Sequence, residues 1–156
     1  MPFIALLLAA AAVAVDQILK LLVVRNLMPV GIITLIPHFL SLQYLENRGA
    51  AFGILQNRQW AIALITGIIC VFIVVAMFRY QERTKLFMTV CTLILGGGVG
   101  NILDRLLRGY VVDYIHFHFF PFIFNFADIC VVVGVALLII SLFLPSHEPK
   151  TEENHA

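Results

Sequence analysis

The chain of 156 residues is 62% hydrophobic and only 12% charged, with a mean hydropathy of +1.01. A soluble domain is about 45–50% apolar and about 25% charged, so lipid, not water, must solvate much of this surface. The formal net charge of +1 lacks the basic excess that a nucleic acid partner requires, and the length suits one compact domain.

A spanning helix needs about 20 mostly apolar residues. Four stretches qualify: Phe3–Val24, Trp60–Phe78, Leu86–Leu107 and Asn125–Leu144. The fold class is therefore a mainly α membrane protein, with one integral membrane domain over residues 1–144 and a short polar tail over 145–156. Phe3 to Val15 has the length of a signal-peptide core. It has no basic residue before it, and apolar residues resume after Asp16 as far as Val24, so it reads as a retained helix.

The connection between the first two helices is not helical in pattern. Leu40, Leu42 and Tyr44 alternate with Ser41 and Gln43, as in a half-buried strand. Ile32–Ile36 is a second β-leaning run closed by Pro37, and Asn47-Arg48-Gly49 reads as a turn. A small β-sheet is expected here, resting on the membrane surface.

The next connection is short and basic, with Arg79, Arg83 and Lys85, which favours a cytoplasmic loop. Arg25, Arg48, Arg58, Arg105 and Arg108 fall on the other side, so charge counting alone does not decide the orientation. The connection over 108–124 carries five phenylalanines beside Pro121, rings suited to the lipid–water boundary. The three cysteines, Cys70, Cys91 and Cys130, lie in apolar runs without CxxC spacing, as small core residues do.

The carboxylates are sorted by type. Every glutamate falls in a connection or the tail, whereas Asp16, Asp104, Asp113 and Asp128 lie within or against apolar stretches. An aspartate at a helix centre in lipid costs about 2.5–3.5 kcal/mol, so each needs a partner and is a functional candidate. Asp16 precedes Lys20 by four residues, the spacing of an ion pair on one helix face; both are read as structural. Gly97, Asn101, Asp104, Arg105 and Arg108 recur at spacings of three and four, which places them on one stripe of the third helix.

Asp113 follows that helix in an extended run, and Asp128 sits three residues after Asn125 at the start of the fourth. An Asn cap with an acid in the first turn is ordinary helix-start chemistry. It leaves Asp113 unexplained. If both carboxylates enter one cavity, their like charges make them share a proton, the arrangement with which aspartic proteases activate water and protonate a carbonyl. His116 and His118 offer a rival, since an HxH pair in an extended segment points one way and Asp113 is near. No further ligand is evident, and no metal or cofactor is expected.

Five blocks carry a resemblance: Asp16-Gln17 with Lys20; Asn47-Arg48-Gly49-Ala50-Ala51-Phe52-Gly53; Gly97-Gly98-Val99-Gly100-Asn101-Ile102-Leu103-Asp104-Arg105; Val111-Val112-Asp113-Tyr114-Ile115; and Phe124-Asn125-Phe126-Ala127-Asp128. In this order, relative to four helices, the chain resembles the bacterial lipoprotein signal peptidases (signal peptidase II). The resemblance implies a membrane aspartic endopeptidase of the bacterial plasma membrane, multi-pass, with both termini cytoplasmic. Its substrate would be a diacylglyceryl-modified prolipoprotein, cut just before the lipidated cysteine. The resemblance further implies Asp113 and Asp128 as the catalytic pair. Asn47, Gly49, Asn101, Arg105 and Asn125 would bind substrate, while Asp16, Lys20 and Asp104 are structural polar residues. Globomycin-type peptides would inhibit it, membrane lipid would surround it, and a monomer is expected.

Two rival classes remain on the residues alone. An ion-coupled transporter also uses intramembrane Asp, Asn and Arg, but no internal repeat is visible and the acids cluster at one edge. A structural subunit leaves that clustering unexplained. The GxGD pattern of presenilin-type proteases does not occur.

Overall fold

A computed structural model describes residues 1–49, 58–81 and 84–143. Four helices, α1 (Pro2–Asn26), α2 (Gln59–Arg79), α3 (Lys85–Leu107) and α4 (Phe126–Phe143), enclose little of themselves apart from α3. All four are long and apolar enough to cross a membrane. Their ends fall within two residues of the expected spans, except where the fourth approaches Leu144, outside the described residues.

α3 is the hub, packing against α1, α2 and α4. Its glycine run makes this possible. A Cβ on Gly96 would lie 2.9 Å from Ala12 of α1, one on Gly97 would collide with the Ala127 carbonyl of α4, and one on Gly98 would lie 3.0 Å from Cys70 of α2. Three successive positions thus face three different helices, each approaching almost to backbone contact, which is how helices pack in lipid without a hydrophobic drive. The buried stripe of α1 is Ala5, Ala9, Asp16 and Lys20, small residues giving way to charged ones along a single face. The outer faces of α1, α2 and α4 expose large apolar side chains such as Leu7, Ile68 and Leu138, as a lipid-facing surface must.

The expected sheet forms, with β1 at Ile32–Ile36 and β2 at Leu40–Asn47. It is larger than its local sequence, because β3 (Val111–Phe117) and β4 (Ile123–Phe124) join from the connection between α3 and α4. All pairs are antiparallel, in the order β1-β2-β3-β4. Gly109, at φ +76°, lets α3 stop in a left-handed cap and turns the chain into β3. Val112 and Tyr114 of β3 then pack with Leu27 at the end of α1, which sends Asp113 to the opposite face. Between β2 and β3 the register slips, with Leu42 opposite Ile115 but Leu45 opposite Asp113; the extra residue on β2 is a bulge, a device that re-aims side chains.

Candidate active site

The polar residues gather where the C-terminal end of α3, the N-terminal end of α4 and the sheet meet. Asp113 is 1% exposed. Its Oδ1 accepts from Asn125 Nδ2 at 2.6 Å and its Oδ2 from Asn47 Nδ2 at 2.9 Å. Asp128 Oδ1 accepts from Asn101 Nδ2 at 2.7 Å, and its Oδ2 from the Asn125 backbone N–H at 3.1 Å. The Asp128 N–H donates back to Asn125 Oδ1 at 2.9 Å, so Asn125 and Asp128 form a reciprocal cap on α4. Asp128 therefore caps α4, and the same Asn125 joins it to Asp113. Asn125 touches both aspartates and has no solvent exposure.

Asn47 is fixed in its turn. Its Oδ1 accepts from the Gly49 N–H at 3.0 Å, an Asx turn that leaves its amide group for Asp113. Gly49 thus acts on the site through Asn47. Ala50-Ala51-Phe52-Gly53, quoted above with this turn, lie outside the described residues.

The α3 stripe divides in two. Asn101 and Arg105 turn towards α4, while Asp104 and Arg108 turn towards α1. Asp104 Oδ2 accepts the Val112 N–H at 3.1 Å and Lys20 Nζ at 3.0 Å; Oδ1 accepts Gln17 Nε2 at 3.1 Å and pairs with Arg108. Asp16 pairs with Lys20 at 2.8 Å, as its spacing predicts, and its Oδ1 accepts the Ala127 N–H at 3.1 Å. Through the Val112 N–H, Asp104 steadies the strand bearing Asp113. Arg105 bonds the Asn101 carbonyl oxygen at 3.1 Å and, among the described residues, forms no ion pair within 4.0 Å, which leaves its guanidinium facing the two aspartates with donors to spare. Gln17 is the residue that reading the chain left without a role. Only its position beside Asp16 signalled it.

Burial, and secondarily the charge of Asp128, push the Asp113 carboxyl up from 3.8 to about 7, against the opposing hydrogen bonds of Asn47 and Asn125 and the charge of Lys20. A carboxyl that holds a proton near neutrality beside a second carboxyl is chemically an acid–base pair. Beside Asp128 a groove of about 270 Å³, lined by Phe117, Phe120, Phe124, Ile129 and Val132, runs down the outer face of α4. A larger groove of about 540 Å³ between α2 and α3, walled by Trp60, Gly67, Ile102 and Leu106, contains no ionisable lining residue and stands apart from this chemistry.

His116 and His118 lie close, with ring centroids 5.2 Å apart, and His118 Nε2 contacts Ser41 Oγ at 3.1 Å. Strand alternation puts His116 on the face opposite Asp113. Among the described residues no three His, Cys, Asp or Glu side chains are grouped to hold a metal ion.

Residues 8–144 match the sequence model of a family described as signal peptidase (SPase) II. The chain is 43% identical over 134 residues to a lipoprotein signal peptidase of Caldanaerobacter subterraneus subsp. tengcongensis, covering 86% of this chain and 92% of that one. It is also 43% identical over 140 residues to one from Desulfitobacterium hafniense, covering 89% and 93%. Two solved bacterial membrane enzymes superpose with TM-scores of 0.81. They are 35% and 33% identical, covering 88% and 91% of this chain and 86% and 94% of theirs.

Proposed function

This chain belongs to the signal peptidase II family, and on that premise we propose that Asp113 and Asp128 are its catalytic pair. The family activity is proteolytic, the removal of signal peptides from prolipoproteins. What supports the residue assignment is that Asn125 hydrogen-bonds both carboxylates, one on β3 and one on α4, at a single buried point. Asp113 serves as the acid of the pair in this reading, with burial raising its carboxyl to about 7.

A water between the pair gives one proton to Asp128 as its oxygen bonds the scissile carbonyl carbon. Asp113 protonates the carbonyl oxygen, which spreads no net charge into the lipid. Collapse of the diol breaks the C–N bond, with the proton on Asp128 passing to the leaving amine and one returning to Asp113. Asn47, Asn101, Arg105 and Asn125 frame this point, and the spare N–H groups of Arg105 meet substrate carbonyls. Gly49 contributes by fixing Asn47.

The substrate is a prolipoprotein whose cysteine carries diacylglyceryl, cut just before that cysteine, with the aromatic groove beside Asp128 receiving apolar chain. Globomycin-type peptides occupy the same place as inhibitors. The enzyme works as a monomer in the bacterial plasma membrane, with both termini cytoplasmic and the sheet on the opposite surface. Its exposed Ile32, Ile33, Leu35 and Ile36 suit that boundary. Purified chain should cleave a diacylglyceryl-modified precursor and leave the unmodified one intact. Equal cleavage of both would refute the lipid requirement, and cleavage by folded Asp113→Asn or Asp128→Asn would refute the pair.

A further inference from the structure

The residue immediately before each aspartate of the pair is tied, by its backbone N–H, to another aspartate. Val112 N donates to Asp104 Oδ2 and Ala127 N donates to Asp16 Oδ1, each at 3.1 Å. Those two supporting aspartates come from different helices, α3 and α1, and one group joins them. Lys20 Nζ lies 2.8 Å from Asp16 Oδ2 and 3.0 Å from Asp104 Oδ2. We propose that Lys20 is a positioning residue whose ammonium sets the spacing of Asp113 and Asp128, through a clamp that holds the backbone in front of each. The proposal rests on the reading of those two as the catalytic pair.

The third N–H of the ammonium makes the same point. It goes to Asn101 Oδ1 at 2.9 Å, and Asn101 in turn donates to Asp128. An ammonium has three donors and no acceptor. Here all three are used, on three groups that each lead to one of the pair. Lys20 is fully buried, and so are Asp16 and Asp104 to within 1%. A well-packed apolar trio is often at least as stable as such an ionic one, so packing alone gives no reason for charge here. The surroundings are shaped to admit it. At Gly100 a Cβ would lie 2.7 Å from Asp16 Oδ2, and Gln17 and Arg108 occupy the remaining oxygen of Asp104. Spacing matters because a displacement of about 1 Å in a reacting pair costs on the order of 10²-fold in rate.

The groups acting on Asp113 are Asp128 from α4, Arg105 from α3 and Lys20 from α1, with the neutral amides of Asn47 from β2 and of Asn125. The Lys20 charge opposes the upward displacement of the Asp113 carboxyl. Its removal therefore has a titration signature besides its geometric one.

The test measures kcat, KM and the pH profile of folded Lys20→Met on a diacylglyceryl-modified precursor, with Asp113→Asn and Asp128→Asn alongside. The expected result is kcat lowered about 10–100-fold with KM within about twofold, and a basic limb of the kcat profile moved to higher pH. A folded Lys20→Met with the kcat of the parent overturns the clamp. Lys20→Met leaves Asp16 uncompensated, so Lys20→Met/Asp16→Asn, which keeps Asp104 paired with Arg108, gives the same reading in a charge-balanced background. If neither accumulates in folded form, Lys20 holds the fold and not the spacing, and the proposal fails. Cleavage by folded Asp113→Asn or Asp128→Asn would instead remove the catalytic pair itself, whatever Lys20 does.

Discussion

Asn125 donates its side-chain amide to Asp113, and it can be oriented in only one way. The backbone N–H of Asp128 only donates, so the atom it meets must be Asn125 Oδ1. Both amide hydrogens of Asn125 are then directed at Asp113 Oδ1 and Asn101 Oδ1. Asn101 is locked in the same manner, because its oxygen also receives Lys20, and its amide is left for Asp128. All four carboxylate oxygens of the pair thus receive a hydrogen bond from a group that cannot accept one.

That polarity predicts what an amide in place of either carboxylate does. In Asp113→Asn or Asp128→Asn the new NH2 faces another donor, so one hydrogen bond is lost and one donor is stranded, about 1–3 kcal/mol. Thermal unfolding should register a drop of this size while the fold survives, and cleavage should fall to background. The double variant should cleave no worse than either single one, since residues acting as a unit are non-additive. A folded single variant that turns over normally would mean that Asp128 merely caps α4.

Asn125→Ala removes the bridge and half of the cap together. Loss of the cap costs about 1 kcal/mol, whereas turnover should fall about 10–100-fold because Asp113 loses its contact with α4. Measured on folded enzyme, a fall in kcat no larger than the stability loss predicts would demote Asn125 to a cap.

The Asp113 carboxyl, displaced from 3.8 to about 7, links pH to both rate and stability. The folded chain binds this proton more tightly than the unfolded chain does. The resulting stabilisation is full below 3.8 and is lost as pH rises through about 7. Parent enzyme should therefore lose thermal stability as pH rises from 3.8 to about 7, and Asp113→Asn should show a flatter profile. The kcat of the parent should decline above about 7, as the proton meant for the carbonyl oxygen leaves. A flat parent profile in both measurements would contradict the assignment of that proton.

Exhaustive chelation should leave cleavage intact, because a carboxylate pair supplies acid and base without a Lewis acid. His116→Ala with His118→Ala should likewise retain turnover, given that His116 lies across the strand from Asp113. Activity lost on chelation and restored by zinc would reverse this.

Gly97→Ala should push α4 away from α3, since the added methyl meets the Ala127 carbonyl. Overpacking of this kind costs about 1–3 kcal/mol. It should also lower turnover, as Asp128 lies one residue beyond Ala127. A variant with unchanged melting temperature would show that the helix contact is looser than its geometry.

The helices were legible because lipid tolerates no long polar interruption, so a spanning segment announces itself by length. β1 was legible to the residue, Ile32–Ile36, from its β-branched run and Pro37. The pairing of β2 with β3 was not, because nothing local to Val111–Phe117 says that its partner lies more than sixty residues earlier. The Asp16–Lys20 pair was visible from its spacing. Its extension to Asp104, Gln17 and Arg108 was not, because it depends on how α1 and α3 are turned about their axes. The same rotation splits a stripe that looks single in a helical projection. Sequence placed Asp113 and Asp128 near one another through family resemblance and could not show that one asparagine would hold both.

The bulge in β2 has a consequence for what this strand can tolerate. Had the pairing continued from Leu42 opposite Ile115 without the extra residue, Val111 would face Glu46 and Asp113 would face Tyr44. With it, Val111 faces Asn47 and Asp113 faces Leu45. Partners on neighbouring strands share a face, so the bulge selects which of two consecutive side chains reaches the Asp113 side. One choice brings an amide, the other a third carboxylate. Deleting a single residue at Gln43 or Tyr44 would absorb the bulge and keep Asn47 opposite Val111, whereas the full-length strand paired without the bulge would bring Glu46 beside the pair. In this strand a slip of one residue is a change of charge, and the bulge holds the register that keeps an amide beside the pair.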